Sequence, residues 1–432
     1  MRMRSSLALF DALIVGAGPA GSTAAILLAS AGWSAALVEK QTFPRRKVCG
    51  ECIAASNLPL LDALGIGEAV AALAGPPLRR VALLRASTCV AADLPRAVNA
   101  LHPWGRALGR ETLDTLLLAR AQDAGATLLQ PWNVQEVAGL PGDYRCHVRE
   151  VGSGRLRTLA ASQVILAHGS WEPLPAARPI RREQRRASDL LAFKANFIGA
   201  SLEAGLLPVL AFDGGYGGMV LGDHGIVTVA CCVRADRLDA LRRAAPGLAA
   251  GAAVEAMLKR ECEGVAHALS AAVRDGPWLA SGPLAPGVRV GGSGQGDTLL
   301  RIGNAAGEAH PIVGEGISMA LQSAALLCEA LLQDGEPGGA GAAQRHRQLR
   351  QRHASRWRRV FAPRLALAAT FAQLAMRPPA AGLLLALLAR WPALLTHGAA
   401  WCGKVDSAIS PEMLADIEGR TSTSAGCLEI WG

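Results

Sequence analysis

Residues 12–40 read ALIVGAGPAGSTAAILLASAGWSAALVEK, an apolar run, a glycine-rich turn, a small-residue helix pattern and a second apolar run ending in an acid. The stretch predicts strand, turn, helix and strand in the manner of a dinucleotide-binding fold. Gly16 permits the tight turn, Gly18 lets the backbone approach a pyrophosphate, and Gly21 allows the helix to pack closely on the strand. Pro19 and Ala20 open a helix whose unpaired N–H groups and positive dipole end face that pyrophosphate. Glu39, followed by Lys40, closes the second strand 23 residues after Gly16, where a carboxylate accepts the hydroxyl hydrogens of an adenosine ribose. A 2'-phosphate there is repelled, so the pattern favours FAD or NAD over NADP. The bland alternative is a helix N-terminus rich in small residues, but Ala25, Gly32, the strand AALV and Glu39 all fall into register with the fingerprint.

The chain has 432 residues, 51% of them hydrophobic, enough for a sizeable core and two or three lobes. Its net charge of +9 is almost entirely arginine, since lysine occurs only at 40, 47, 194, 259 and 404. Basic and aromatic residues do not interleave as in single-strand-binding proteins, so no nucleic-acid partner is expected. Ten scattered cysteines and an N-terminus without a signal-peptide pattern point to a reducing, cytoplasmic setting. The apolar run 380–395 is broken by Arg390 and Pro392 and is too short for a bilayer, so no transmembrane helix is expected.

A second fingerprint lies far down the chain. Residues 299–325, LLRIGNAAGEAHPIVGEGISMALQSAA, read as a short strand, a glycine turn, a Pro-x-x-Gly-x-Gly loop and an amphipathic helix aimed at an electron-rich group. Here the sequence resembles the FAD-dependent oxidoreductases of the p-hydroxybenzoate hydroxylase class, in which G-D-A-A-x-x-x-x-P-x-x-G-x-G follows the substrate domain. Arg110-Glu-Thr-Leu-Asp114 similarly resembles the class's R-x-x-L-D helix, whose arginine approaches the flavin. The resemblance implies an α/β protein: a Rossmann-like FAD-binding domain (1–170 and 293–344), an inserted β-sheet substrate domain (171–292) and a C-terminal helical region (345–432). It implies FAD as cofactor, with Gly303 and Asn304 near the ribityl and pyrophosphate portion and Pro311, Gly314, Gly316 and Ile317 beside the ring. Two positions depart from the class. Asn304 stands where an acid is usual, and His168-Gly169-Ser170 replaces an Asp-Gly element linked to both FAD and NAD(P)H. The electron donor therefore stays open between NADPH, NADH and a separate flavin reductase.

KVCGEC, residues 47–52, carries a cysteine pair that admits three readings: half a zinc site, a redox disulfide, or a loop against the cofactor. Zinc wants a second close pair, which the chain lacks, so no metal is expected. Disulfide-reducing flavoenzymes need a second complete nucleotide fingerprint, and GGSGQGD (291–297) leads into a strand instead. FPRRKVCGEC resembles geranylgeranyl reductases, which carry Lys-x-Cys-Gly here, and more loosely the flavin-dependent halogenases, whose arginine-rich loop ends in Gly-Glu. That resemblance lays Arg45, Arg46, Lys47, Cys49, Gly50 and Glu51 along FAD, with Cys49 as the flavin contact and Cys52 as a packed helix residue.

Within 171–292, LLAFKANFIGA and GLLPVLAFDGGYGGMVLGDHGIVTVACCVRA have strand patterns joined by the turn Asp223-His224-Gly225. Halogenases place a tryptophan motif in the corresponding strand and need a lysine after the glutamate loop. The strand here is Gly215-Tyr216-Gly217-Gly218-Met219, and no lysine lies between 48 and 193. Tyr216, one of two tyrosines, is a candidate hydrogen-bond donor to substrate or a plain sheet aromatic. His310, beside Pro311, is a candidate general acid or base or a structural loop residue, and Glu315 has the same ambiguity. RHRQLRQRHASRWRR (345–359), with seven arginines, suits a solvated helix, a surface for an acidic carrier protein, a peripheral membrane contact or a cover over the site. The apolar pieces after it, separated by Pro378-Pro379, suit two packing helices that wall a pocket for a hydrophobic substrate; Cys402 and Cys427 show no partner.

The leading expectation is an FAD-dependent monooxygenase that hydroxylates or epoxidises a hydrophobic small metabolite, free or carrier-bound, through a flavin C4a-hydroperoxide, of a kind met in secondary metabolism. The alternative is a geranylgeranyl-reductase-like C=C reductase or desaturating dehydrogenase. Halogenation, and a flavin-binding scaffold that docks a carrier protein without chemistry of its own, rank below both.

Overall fold

In a computed structural model the chain is described over residues 9–169, 186–291, 298–335 and 341–426. Ser170, most of the GGSGQGD stretch and Cys427 lie outside these residues.

The strand Leu9–Val15 enters the core directly and is followed by helix α1 (Pro19–Ser30). Gly18 caps α1 in extended geometry with Pro19 in its first turn, where proline's fixed φ suits the helix and its missing N–H costs nothing. Gly16 sits at φ +99°, and a Cβ on Gly21 would lie 1.8 Å from the Gly16 carbonyl oxygen, so both glycines are dictated sterically.

The first sheet has seven strands. Parallel pairing runs from 127–129 through Ala35–Val38 and Leu9–Val15 to Leu156–Leu166. The last strand divides its pairing: residues 156–161 bind the antiparallel ribbon Trp132–Leu140 and Asp143–Glu150, whereas Ile165 and Leu166 bind Leu300 and Arg301. The second fingerprint is thereby brought beside the first. Helices α1, α2 (Arg110–Asp123) and α6 (Gly316–Asp334) share one core on the sheet, and Trp132, Tyr144 and Val148 of the ribbon cover a second.

The second sheet also has seven strands, in the order 273–281, 190–198, 227–234, 215–221, 206–212, 80–85, 88–93. The insert supplies five of them. The other two, Arg80–Arg85 and Thr88–Asp93, come from within the first 170 residues, and 80–85 joins 206–212 in parallel. Helices α3 (Ala235–Ala244), α4 (Ala250–Glu261) and α5 (Glu263–Ala268) bury one face through Phe193, Phe197, Val229 and Met257. The opposite face, carrying Ala192, Tyr216 and Cys232, looks toward the first domain and packs on the C-terminal helices.

The arginine-rich segment is part of a 34-residue helix, α7 (Ala342–Ala375), which continues through Pro363 into the first apolar piece. A solvated helix was the simplest expectation from its charges; instead Leu349, His353, Trp357 and Phe361 form a buried stripe at helical spacing. Helices α8 (Pro378–Arg390) and α9 (Ala393–Trp401) follow and form a wall against the second sheet. Among the described residues, α6 alone is long and apolar enough to cross a membrane as a single helix, and it lies mostly buried in the core.

His353 is buried under α7 with Nε2 3.1 Å from the Arg301 carbonyl, and burial lowers its pKa to about 4. The unfolded chain therefore binds a proton at weakly acid pH that the fold refuses, so stability is full above the unfolded value near 6.5 and falls as pH drops toward the folded one. Denaturant titrations between pH 7 and pH 5 are expected to show a loss of about 2 kcal/mol from this residue, and His353→Gln to reduce the slope.

Candidate functional site

A cavity of about 350 Å³ lies between the two sheets and the C-terminal wall. It is lined by Gly18, Pro19 and Ala20 of the first fingerprint, Lys47, Cys49 and Gly50 of the cysteine loop, and Arg110. Gly303, Asn304, His310, Pro311, Gly314, Gly316 and Ile317 of the second fingerprint and Tyr216 of the insert complete the set. Segments nearly 300 residues apart thus converge on one space.

At one end Glu39 accepts the Ala17 and Gln41 N–H groups, both at 2.9 Å, which fixes the carboxylate beside the first glycine turn. Glu39 and Lys40 themselves stand outside the cavity lining. Arg45 lies 3.7 Å from Glu39 and 3.9 Å from Asp114 and stacks on Phe43, while its buried Nε meets no protein acceptor. Arg110 binds Asp114 in bidentate fashion, both contacts 2.7 Å. Burial, reinforced by the positive charges of Arg110 and Arg45, lowers the Lys47 pKa to about 8. Three cations, an orphaned N–H and the α1 N-terminus around one glycine turn are a donor set built for a diphosphate, and the residues present fit FAD.

Arg46 behaves differently from its expectation along the cofactor. It turns outward to Glu111 (2.8 Å) and Asp275 (2.7 Å), two carboxylates whose attraction outweighs any reach toward the cavity, and so ties the loop to the insert. Cys52 is also placed differently: it lies in a two-residue strand, Cys52–Ile53, paired to Arg106–Ala107, where the loop meets a sheet partner instead of entering a helix. Burial pushes its thiol up to about 11. Cys49 and Cys52 are both free thiols, and among the described residues no group of His, Cys, Asp and Glu could hold a metal ion.

Glu51, expected along FAD with the rest of its loop, is instead the hub that joins the two sheets. It is one of three described non-glycine residues with positive φ, at +58°. Its buried carboxylate is bound by the Arg110 N–H (2.8 Å), the Thr228 hydroxyl (2.6 Å) and the Lys194 ammonium, and Thr228 also reaches Asn196 at 3.1 Å. Lys194, Thr228 and Asn196 escaped the sequence reading. The available signal was the lone lysine inside the apolar strand LLAFKANF, since a buried lysine demands a partner. Asp223 of the turn likewise crosses over, accepting the Gly109 N–H (2.8 Å) and the Thr112 hydroxyl (2.5 Å) and capping α2 from outside.

The Tyr216 hydroxyl lies 3.1 Å from His310 Nδ1 in the cavity, with the rings edge-to-face at 6.2 Å. Burial, with Cys232 and Glu308 nearby, raises the Tyr216 pKa, and burial lowers that of His310, so both are neutral near pH 7. Glu315 is buried in the Pro-x-x-Gly-x-Gly loop and paired at 3.2 Å with Lys404, a residue from beyond the wall helices. Burial opposes the Lys404 charge, but Glu315 overcomes it and the pKa is raised.

Residues 10–220 match the FAD binding domain family. The fold of almost the whole chain superposes on the myxobacterial chondrochloren halogenase, an FAD-dependent halogenase, with a TM-score of 0.68 at 18% identity, covering 96% of this chain and 97% of that one. The stretch 10–220 is thus an FAD binding domain, and the chain as a whole shares the fold of that FAD-dependent halogenase. The menaquinone reductase of Mycolicibacterium smegmatis is 28% identical over 340 residues, 75% of this chain and 77% of that protein. A tryptophan 2-halogenase of Chondromyces crocatus is 55% identical over 60 residues, 14% of this chain and only 11% of its own length.

Because burial lowers the Lys47 pKa to about 8, its amine loses charge above that pH, and FAD binding there is expected to draw a proton onto it. FAD affinity should fall as pH rises from 7 through about 8 to 9.5. Fluorescence titration of the apoprotein with FAD measures this, and Lys47→Met should remove the pH dependence together with part of the affinity.

Proposed function

We propose that the protein is an FAD-dependent reductase of carbon–carbon double bonds in an apolar, lipid-like substrate. The observation that carries the reading is the Tyr216–His310 pair, two neutral, hydrogen-bonded groups at the end of the cavity where Leu83, Leu284, Leu384, Leu388 and Leu395 cluster around Tyr216. Such a space takes up aliphatic or isoprenoid chains by burial of apolar area and offers one place from which a proton can be delivered.

FAD, when bound, supplies or accepts the hydride. Tyr216, which lines the cavity, holds the proton at its phenolic oxygen. His310 orients that hydroxyl through Nδ1 and reloads it after transfer. Hydride on one alkene carbon and the Tyr216 proton on the other account for both atoms and both electrons of the reduction. The leucine walls exclude water that would compete for the proton. The N-terminus of α6 at Gly316 favours negative charge beside it, and Cys49 with Gly50 lines the same cavity.

Two further points support reduction over the monooxygenase that the sequence favours first. The Lys-x-Cys-Gly loop matches the reductase pattern, and the sequence match to a menaquinone reductase runs through three quarters of the chain. The halogenase likenesses are of fold alone or span 60 residues, and the strand Gly215–Leu221 lacks a tryptophan pair. The donor of electrons to FAD is proposed to be NADPH, NADH or a separate reductase.

Photoreduced protein incubated anaerobically with a menaquinone, then exposed to air so that any quinol returns to quinone, is expected to yield a quinone heavier by two hydrogens in its isoprenoid chain. A product that needs O2 and gains an oxygen atom contradicts the reading and restores the monooxygenase. Tyr216→Phe should lower turnover by about 100-fold or more while leaving flavin reduction by dithionite unchanged.

A further inference from the structure

The wall helices α8 and α9 are apolar on both sides. Their inner side gives Leu384, Leu388 and Leu395 to the cavity. Their outer side exposes Leu383 (76%), Trp391 (53%) and Trp401 (72%), and Leu394 both lines the cavity and stands 42% exposed, which places it at the mouth. The loop after the strand Thr88–Asp93 extends this surface with Val98 and Leu101, both almost fully exposed. Loop and wall are joined by Leu94 and Trp104, which pack with Leu395 and Ala399, and by the Thr396 hydroxyl on the Asp93 carbonyl (2.6 Å). Scattered exposed leucines are ordinary on a soluble surface; a run of them with two tryptophans around a cavity mouth is not.

Residues 337–405 contain ten arginines and one lysine and no aspartate or glutamate. Eight of the arginines lie at 345–364 on α7, where Arg352 and Arg356 pair with Asp334 and Glu329, and the other two belong to the wall. Arg377 and Arg390 flank α8 at its two ends, and the Arg390 guanidinium lies 5.5 Å from the Trp391 ring centroid.

We propose that this face docks on an anionic phospholipid bilayer, so that an apolar substrate passes from the membrane past Leu394 into the cavity. Exposed leucine and tryptophan enter the headgroup and acyl boundary, while the flanking arginines meet lipid phosphates. A bare aliphatic rim around the mouth suits acyl chains, whereas a carrier-protein surface is expected to present polar partners at its edge. The inference rests on the apolar-substrate reading of the cavity. Its test uses no substrate, so failure of the docking face and failure of the reaction are separate results.

The experiment is vesicle flotation of the full-length, FAD-loaded protein, using phosphatidylcholine alone and phosphatidylcholine mixed with phosphatidylglycerol. The wild type is expected to float with the anionic vesicles and to bind neutral ones more weakly. The double variant Leu383→Gln, Trp391→Gln is expected to bind anionic vesicles at least about tenfold more weakly while keeping wild-type FAD content and melting temperature. Absence of flotation at low salt overturns the proposal. So does a variant that floats like the wild type, because attraction would then come from arginine charge alone. Capture of an acidic carrier protein through Leu383 and Trp391 with no vesicle binding assigns the face to that partner and overturns the bilayer.

Discussion

The Glu51 carboxylate is the interaction on which the arrangement of this molecule depends. It sits on the loop that borders the cofactor space, holds a backbone conformation unfavourable for a side-chain-bearing residue, and is bound by the first residue of α2 and by two strands of the substrate sheet. A positive φ costs energy wherever glycine is absent, so the surrounding donors must over-determine it. Removing the carboxylate from water is costly too, and Lys194, Thr228 and the Arg110 N–H offset that by supplying charge and hydrogen bonds in a dry place. One acid thereby sets the distance between the flavin-binding sheet and the sheet that roofs the substrate. Asp223 and Arg46 repeat the bridge at two other points, each pairing one domain with the other.

Around this hinge the site divides by charge. The end near Glu39 gathers Arg45, Lys47 and Arg110 where a diphosphate belongs. The end near Tyr216 is neutral and aliphatic, so a proton placed on its phenol stays there until a reacting carbon takes it. The C-terminal helices close the second end, and Lys404 reaches back from beyond them to Glu315, so the wall is fastened to the flavin loop.

Much of this was legible in the sequence because it depends on local rules. Glycine spacing, the terminal Glu39 and the Pro-x-x-Gly-x-Gly loop each encode a strand, a turn and a helix N-terminus within a few residues, and their order gives the fold. Tyr216 was legible singly, as one of two tyrosines and set between glycines, and His310 as the residue before Pro311, but their hydrogen bond is a contact across 94 positions that no local pattern records. The Glu51 network is equally non-local: Lys194 stands out as a charge in an apolar strand, yet its partner lies 143 residues away. The long helix α7 misleads for a different reason. Its arginines surround most of the sequence, while the stripe of Leu349, His353, Trp357 and Phe361 that docks it is narrow and half aromatic. Strands 80–85 and 88–93 joined the second sheet unannounced, because a strand's apolar pattern does not name the sheet it enters.

The most direct measurement of the Glu51 account is a double-mutant cycle on Glu51→Gln and Lys194→Met, with unfolding free energy and FAD affinity read on all four proteins. Each single change strands a buried charge or its partner and is expected to cost about 3 kcal/mol and to weaken FAD binding. The double variant, with neither charge left, should recover most of the stability, a coupling of about 2 kcal/mol or more. Additive losses, or single variants that bind FAD like the wild type, would contradict the claim that this pair sets the cofactor loop against the substrate sheet.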